Sequence, residues 1–216
     1  MSADREDRPH TDQPWRCFVA LPLPEPARAA FIPRLRELAA GIPEARWVPV
    51  PNLHLTLVFL GDTQPTEVPA IVAELGRVVA GVAPFELRLE GPGTFGGRGR
   101  PAVVWLGVAQ GASRVAELAA AIEHALRPDE LGGAEREPHR PHLTVARVRT
   151  RKLAARALER LTDVSVGWRV AEVELLRSHL GTGPPRYETL AWIPLGGPPE
   201  DDAASLGGTM RRPRGA

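Results

Sequence analysis

A single cysteine, Cys17, stands in a chain of 216 residues. That excludes an internal disulfide framework and a thiolate metal cage, and within "WRCFVALPL" Cys17 reads as a small core hydrophobe. Charge of one sign is also lacking. Twenty-seven Lys and Arg against 26 Asp and Glu leave a formal net charge of +1, so no overall field steers the chain toward nucleic acid or an anionic membrane, and any such contact must be local. No apolar run approaches the roughly 20 residues of a membrane span, and the opening "MSADREDRPHTDQP" has no apolar signal-peptide core. These absences set the expectation of a cytoplasmic protein without a membrane role. Hydrophobic residues make up 43%, enough to fill a substantial core. The ends are poor in apolar residues and rich in Gly, Pro and charge, which predicts disordered tails at 1–13 and 197–216 around one folded domain at 14–196.

Within that domain, strand-like runs fall at 16–23, 52–60 and 85–91, with helical patterns at about 26–40 and 66–80. The second half repeats the order: strands at 102–109, 142–148 and 171–178, and helical patterns at 113–127 and 151–162. A last strand is expected at 188–195. Pro33 and Pro69 blur the helix boundaries, because a proline inside a helix removes a backbone bond. An offset of 88 residues moves His54 to His142, Cys17 to Trp105 and Phe85 to Val173, so strand falls on strand. The pattern predicts a duplicated β-α-β-α-β unit and an α+β domain: two pseudo-symmetric lobes of mostly antiparallel sheet, covered by helices, with a central cleft.

Two strands carry an unexpected polar residue in the same setting, "NLHLTLVFLG" at 52–61 and "RPHLTVARV" at 140–148. Residues i and i+2 of a strand share a face, so His54 with Thr56, and His142 with Thr144, turn away from Leu55, Leu57, Leu143 and Val145. If the lobes face each other across a two-fold axis, two imidazoles and two hydroxyls converge on one cleft. One imidazole then takes a proton from an attacking water or hydroxyl while the other gives a proton to the departing oxygen. The threonine hydroxyls hold the oxygens of an anionic substrate between them. Phosphodiester cleavage, which needs acid, base and donors for the phosphate oxygens, fits this set without a metal or other cofactor.

The plainer explanation of a strand histidine is a surface or satisfied core residue, and His10, His124, His139 and His179 are read that way. Six His and eleven Thr give about 0.3 His-x-Thr tripeptides by chance, so two copies at equivalent points of a repeat call for a joint role. As metal ligands, two imidazoles lack a nearby carboxylate or thiolate to complete a coordination shell.

The doubled "HLTL" (54–57) and "HLTV" (142–145) resemble the His-x-Thr-x signature of the 2H phosphoesterase superfamily. The flanking "RWVPVPNLHLTLVFLGD" (46–62), "GPGTFGGRGRPAVVWLGV" (91–108) and "ELLRSHLGTGPPRYETLAWIPL" (174–195) are similar to the bacterial and archaeal RNA 2′,3′-cyclic phosphodiesterases, historically called 2′-5′ RNA ligases. The resemblance implies a metal-independent enzyme that opens a 2′,3′-cyclic phosphate at an RNA 3′ end to leave a 2′-phosphate, and can reverse to make 2′-5′ links. It implies His54 as general acid, His142 as general base, and Thr56 and Thr144 as phosphate ligands. Arg147 matches a family arginine that assists at the phosphate, and a guanidinium suits that task. Strand parity counted from His142 nevertheless puts Arg147 on the opposite face unless the strand bends or bulges.

Other stretches have two readings each. The glycine-rich 91–100 is either the loop joining two halves or a place where backbone amides, Arg98 and Arg100 approach RNA. The basic 147–160 is either a solvated helix face or a phosphate contact. Trp47, Phe95 and Tyr187 serve as core or loop packing, or as base-stacking platforms. Arg177 stands where relatives often carry an acidic residue. The expected partners are RNA with 2′,3′-cyclic phosphate ends, or cyclic nucleotides, met by a monomer. The alternative function is a non-catalytic RNA- or nucleotide-binding module on the same scaffold, or a phosphodiesterase for a small cyclic nucleotide derivative. The paired acid and base favour catalysis, since a binder needs donors only.

Overall fold

Two antiparallel sheets, each backed by two helices, organise the computed structural model, which describes residues 13–96, 102–127 and 140–197. The proposed tails, apart from their innermost residues, and His10, Arg98, Arg100 and His139 lie outside the described residues. Strands are β1 (Trp15–Pro22), β2 (Arg46–Trp47), β3 (His54–Thr63), β4 (Phe85–Phe95), β5 (Ala102–Gln110), β6 (His142–Val148), β7 (Val166–Val170), β8 (Glu172–His179) and β9 (Arg186–Pro194). Helices are α1 (Glu25–Gly41), α2 (Val68–Val79), α3 (Ala112–Leu126) and α4 (Arg151–Leu161).

One sheet runs β3-β1-β8-β9 and the other β2-β6-β5-β4-β7. The two lobes are pseudo-symmetric in this order, since β3, β1 and β8 stand in one sheet as β6, β5 and β4 stand in the other. The lobes are not contiguous halves of the chain, however. The third strand of each half crosses over: β4 pairs with β5, and β8 with β1. The first helix of each half crosses as well, α1 packing on β7 and α3 on β3, while α2 and α4 stay with their own lobes. Neither half can bury its apolar faces alone, so the two sheets form as one unit.

Helix α1 buries Ala27, Phe31, Leu35 and Leu38, a helical spacing. Pro33 sits exposed on its outer side and the helix continues through it. The reason is that only one hydrogen bond is lost, on the side where water can serve the freed carbonyl. Pro69 lies in the first turn of α2, where no N–H is required of it. Thr150 caps α4 by accepting from the Leu153 amide at 3.2 Å. Cys17 is buried in the main core as expected.

Two expectations need correction. Strands β2 and β7 are additional to the expected elements. The first is only two residues long, and the second alternates Val166, Trp168 and Val170 inward with Gly167 and Arg169 outward. Of the glycine-rich segment 91–100, residues 91–95 are strand rather than loop, and 97–100 lie outside the described residues. Its glycines admit a close approach, because a side chain at Gly93 would collide with the Trp105 ring lying over it.

Candidate active site

Both histidines are the first residues of paired strands, and both face one cleft of about 600 Å³. Thr56, Thr144 and Arg147 line the same cleft. β3 and β6 lie against each other across the sheets. The inward residues Leu55, Leu57, Leu143 and Val145 are buried, and the alternation leaves the His-Thr pairs half-buried on the cleft side.

Arg147 reaches the cleft through a bulge. Trp105 pairs with Thr144 and Val104 with Ala146, so Val145 is an extra residue on β6. Beyond it the parity reverses, Ala146 and Val148 turning inward and Arg147 outward. The other lobe does the same at the equivalent place. Ala20 pairs with Thr56 and Val19 with Val58, leaving Leu57 as the extra residue, and Phe59 turns outward with 66% of its surface exposed. Phe59 and Arg147 are 88 residues apart, so the two-fold relation delivers a cation from one lobe and an aromatic ring from the other. That offset is the sequence signal for Phe59, although the bulge conceals its exposure.

Each imidazole is oriented by a backbone carbonyl two residues upstream. His54 Nδ1 lies 2.8 Å from the Asn52 carbonyl oxygen and His142 Nδ1 lies 2.7 Å from that of Arg140. A carbonyl only accepts, so Nδ1 carries hydrogen in both rings and Nε2 is the nitrogen left to exchange a proton. His54 Nε2 is 3.1 Å from Thr56 Oγ1. Asn52 closes a single 3₁₀ turn, Val50–Asn52, and its side-chain amide donates to the Pro185 carbonyl at 2.7 Å. It is a positioning residue that inspection of the motif alone does not reveal.

Aromatic rings fix the imidazole planes. Phe18 lies 5.0 Å and Tyr187 5.2 Å from His54, and Phe95 lies 4.8 Å and Trp105 6.0 Å from His142. Phe95 and Tyr187 thus pack against the imidazoles, while Trp47 packs on the core and donates its indole N–H to the Ile42 carbonyl. Arg140 stacks on Trp105 at 4.6 Å. Enclosure between rings pushes the His54 imidazole below its ordinary value. The Asn52 carbonyl opposes this, and positive charge at His142 adds to the lowering. Tyr187 is pushed up by burial, with the Arg147 guanidinium pulling back. Arg177 stacks on Trp15 and His179 contacts Glu188 at 2.6 Å, and none of these four lines the cleft. Among the described residues, no three His, Cys, Asp or Glu side chains cluster as metal ligands would.

A family model described as the 2′-5′ RNA ligase superfamily matches residues 23–182. The chain belongs to that superfamily. It is 36% identical over 209 residues to a protein of Thermus thermophilus named RNA 2′,3′-cyclic phosphodiesterase, covering 93% of this chain and 99% of the relative. A protein of the same name from Geobacillus stearothermophilus is 34% identical over 186 residues, which are 85% of this chain and 58% of that longer relative. Among solved structures, one from Thermus thermophilus superposes with a TM-score of 0.66 at 33% identity, covering 84% of this chain and 98% of the other. E. coli LigT complexed with 3′-AMP superposes with a TM-score of 0.64 at 26% identity, covering 85% and 98%. The 2H phosphoesterase fold expected from the doubled motif is therefore the family's fold.

Proposed function

We propose that this chain is an RNA 2′,3′-cyclic phosphodiesterase that works by metal-independent acid-base catalysis between His54 and His142. One observation carries the reading: two imidazoles, each held with Nδ1–H on a backbone carbonyl, line the same cleft with two threonines and an arginine. A non-catalytic binder has no need of two oriented proton-exchanging nitrogens.

In the hydrolytic direction the cyclic phosphate lies between the histidines. His142 Nε2 takes a proton from water as its oxygen bonds to phosphorus, the bond to O3′ breaks, and His54 Nε2 gives its proton to O3′. The product is a 2′-phosphate. Thr56, Thr144 and Arg147 bind the non-bridging oxygens, the guanidinium as a charged donor to the oxygen that gains charge. The depressed His54 leaves the empty site partly unloaded, and the substrate anion draws the proton back because opposite charge favours the imidazolium. With a 5′-hydroxyl in place of water, the same groups join 2′ to 5′, and the histidines exchange roles when that link is opened again. Phe59 offers the nucleobase a ring face at the cleft mouth.

The protein is further read as a cytoplasmic monomer. One chain supplies all five site residues, and among the described residues no helix is long and apolar enough to cross a membrane. The test is regiochemical. Incubation with a nucleoside 2′,3′-cyclic phosphate should give the 2′-phosphate alone. Release of the 3′-phosphate would refute the assignment of His54 to O3′, and no turnover would refute the enzyme.

A further inference from the structure

A second groove, about 580 Å³, opens beside the cleft and shares Arg147, Pro185 and Tyr187 with it. It is also lined by Arg46, Thr182 and Gly183. Arg46 lines this groove and not the cleft, whereas Arg147 lines both.

The two arginines are direct cross-strand partners, Arg46 on β2 opposite Arg147 on β6. Partners in an antiparallel pair project on the same face with Cα atoms about 4.5–5.5 Å apart. The other residue of β2 agrees with this facing, since Trp47 pairs with the buried Ala146 and packs on the core. Like charges directly opposite each other disfavour the pair. Neither arginine has an ion-pair partner among the described residues, and both are exposed. The reacting phosphate accounts for one guanidinium through Arg147. It leaves Arg46 unexplained at the head of a groove leading away from the chemistry.

We infer that this groove binds the nucleotide 5′ of the terminal one, with Arg46 and Arg147 sharing the internucleotide phosphate that joins them. The inference rests on the function proposed above and deepens it: the substrate class is an oligonucleotide end, and a mononucleotide fills only the cleft. An RNA chain bearing a terminal cyclic phosphate continues only from its 5′ side, so the strand must leave the cleft by an adjoining channel. A phosphate placed between two guanidiniums relieves their repulsion and gains charge-assisted bonds. Arg46 then reads no base and discriminates by length.

Two measurements separate this inference from the enzyme reading. The first is binding of a labelled single-stranded RNA trinucleotide ending in a 2′-phosphate, followed by fluorescence anisotropy against wild type, Arg46→Gln and Arg46→Lys. Arg46→Gln should raise Kd about tenfold, Arg46→Lys should recover part of the loss, and the slope of log Kd on log salt should fall by about 0.7, the value for one single-strand phosphate contact. The second is the ratio of kcat/KM for the trinucleotide 2′,3′-cyclic phosphate to that for the nucleoside 2′,3′-cyclic phosphate. That ratio should drop about tenfold in Arg46→Gln. An unchanged Kd and salt slope, or a ratio that holds while both rates move together, would overturn the groove assignment. Wild-type protein that turns over neither substrate would sink the functional reading, and the binding experiment would still decide the role of Arg46.

Discussion

Replacing Asn52 by alanine removes no group that lines the cleft, yet the geometry predicts a catalytic defect larger than the stability defect. The Asn52 amide donates to the Pro185 carbonyl at 2.7 Å, tying the turn before β3 to the segment that walls the cleft. The backbone carbonyl of the same residue accepts from His54 Nδ1 at 2.8 Å. Loss of the amide forfeits one neutral hydrogen bond, about 1 kcal/mol of folding stability, or a Tm decrease of about 2–4 °C for a domain of this size. Untethered, the Asn52 carbonyl no longer holds the Nδ1–H tautomer. A bond from a charged imidazolium is worth about 1.5–3 kcal/mol, so its loss at the transition state lowers kcat/KM about tenfold or more, at about 1.4 kcal/mol per factor of ten. The assays are a thermal melt, kcat/KM on a nucleoside 2′,3′-cyclic phosphate, and the ¹⁵N chemical shifts of the His54 ring, which report the tautomer. A variant with wild-type kcat/KM and an unaltered His54 tautomer, but a lowered Tm, would refute the orienting role and leave Asn52 a loop tie only.

Three other outcomes follow from the site and its surroundings. The pH profile of kcat/KM should be bell-shaped with one limb below the ordinary histidine value, because burial depresses His54 in the free protein; the same limb in kcat should move up when the phosphate anion is bound, and a flat profile through the histidine range would contradict paired proton transfer. Phe59→Ala should raise KM about tenfold with kcat little altered, as expected for lost base stacking of about 1–3 kcal/mol; an unchanged KM would mean that the exposed ring meets no base. Glu174 is buried and its carboxyl is pushed up to about 7, chiefly by burial and then by Glu172, against Arg28. A carboxyl raised in the folded state stabilises it only while protonated, so this contribution fades as pH rises from about 4.5 to 7. Glu174→Gln should therefore stabilise the fold at pH 8, by up to about 3 kcal/mol, and not at pH 4.5; a Tm difference independent of pH would show that the carboxyl is not held neutral.

The strands bearing His54 and His142 were legible because alternation of Leu and Val with His and Thr states both the element and its faces. The 88-residue offset pointed to the pseudo-symmetry of the two lobes. What it could not state was the exchange of β4 and β8 between lobes, since a strand's partner is set by long-range packing and not by its own residues. β2 was too short to leave a periodic signal, although Arg46 on it faces Arg147. Parity failed at Arg147 for a specific cause: an extra residue at Val145 turns the strand, and nothing in "HLTVARV" marks the bulge with a glycine or proline. The matching bulge at Leu57 likewise concealed Phe59. Asn52 acts through its backbone and through a residue 133 positions away, a distance at which single-sequence reasoning has no purchase.

In the proposed mechanism, Nε2 of His54 and Nε2 of His142 serve one phosphorus atom in one step. It is tested most directly by the turnover of a nucleoside 2′,3′-cyclic phosphate in chelator by His54→Gln, His142→Gln and the double variant. Each single change should cost about 10²–10⁴ in kcat, and the double variant should be little worse than the poorer single, because the two groups act as a unit. Either single variant retaining more than about a tenth of wild-type kcat, where even the weaker acid or base contribution is about a hundredfold, would contradict the account.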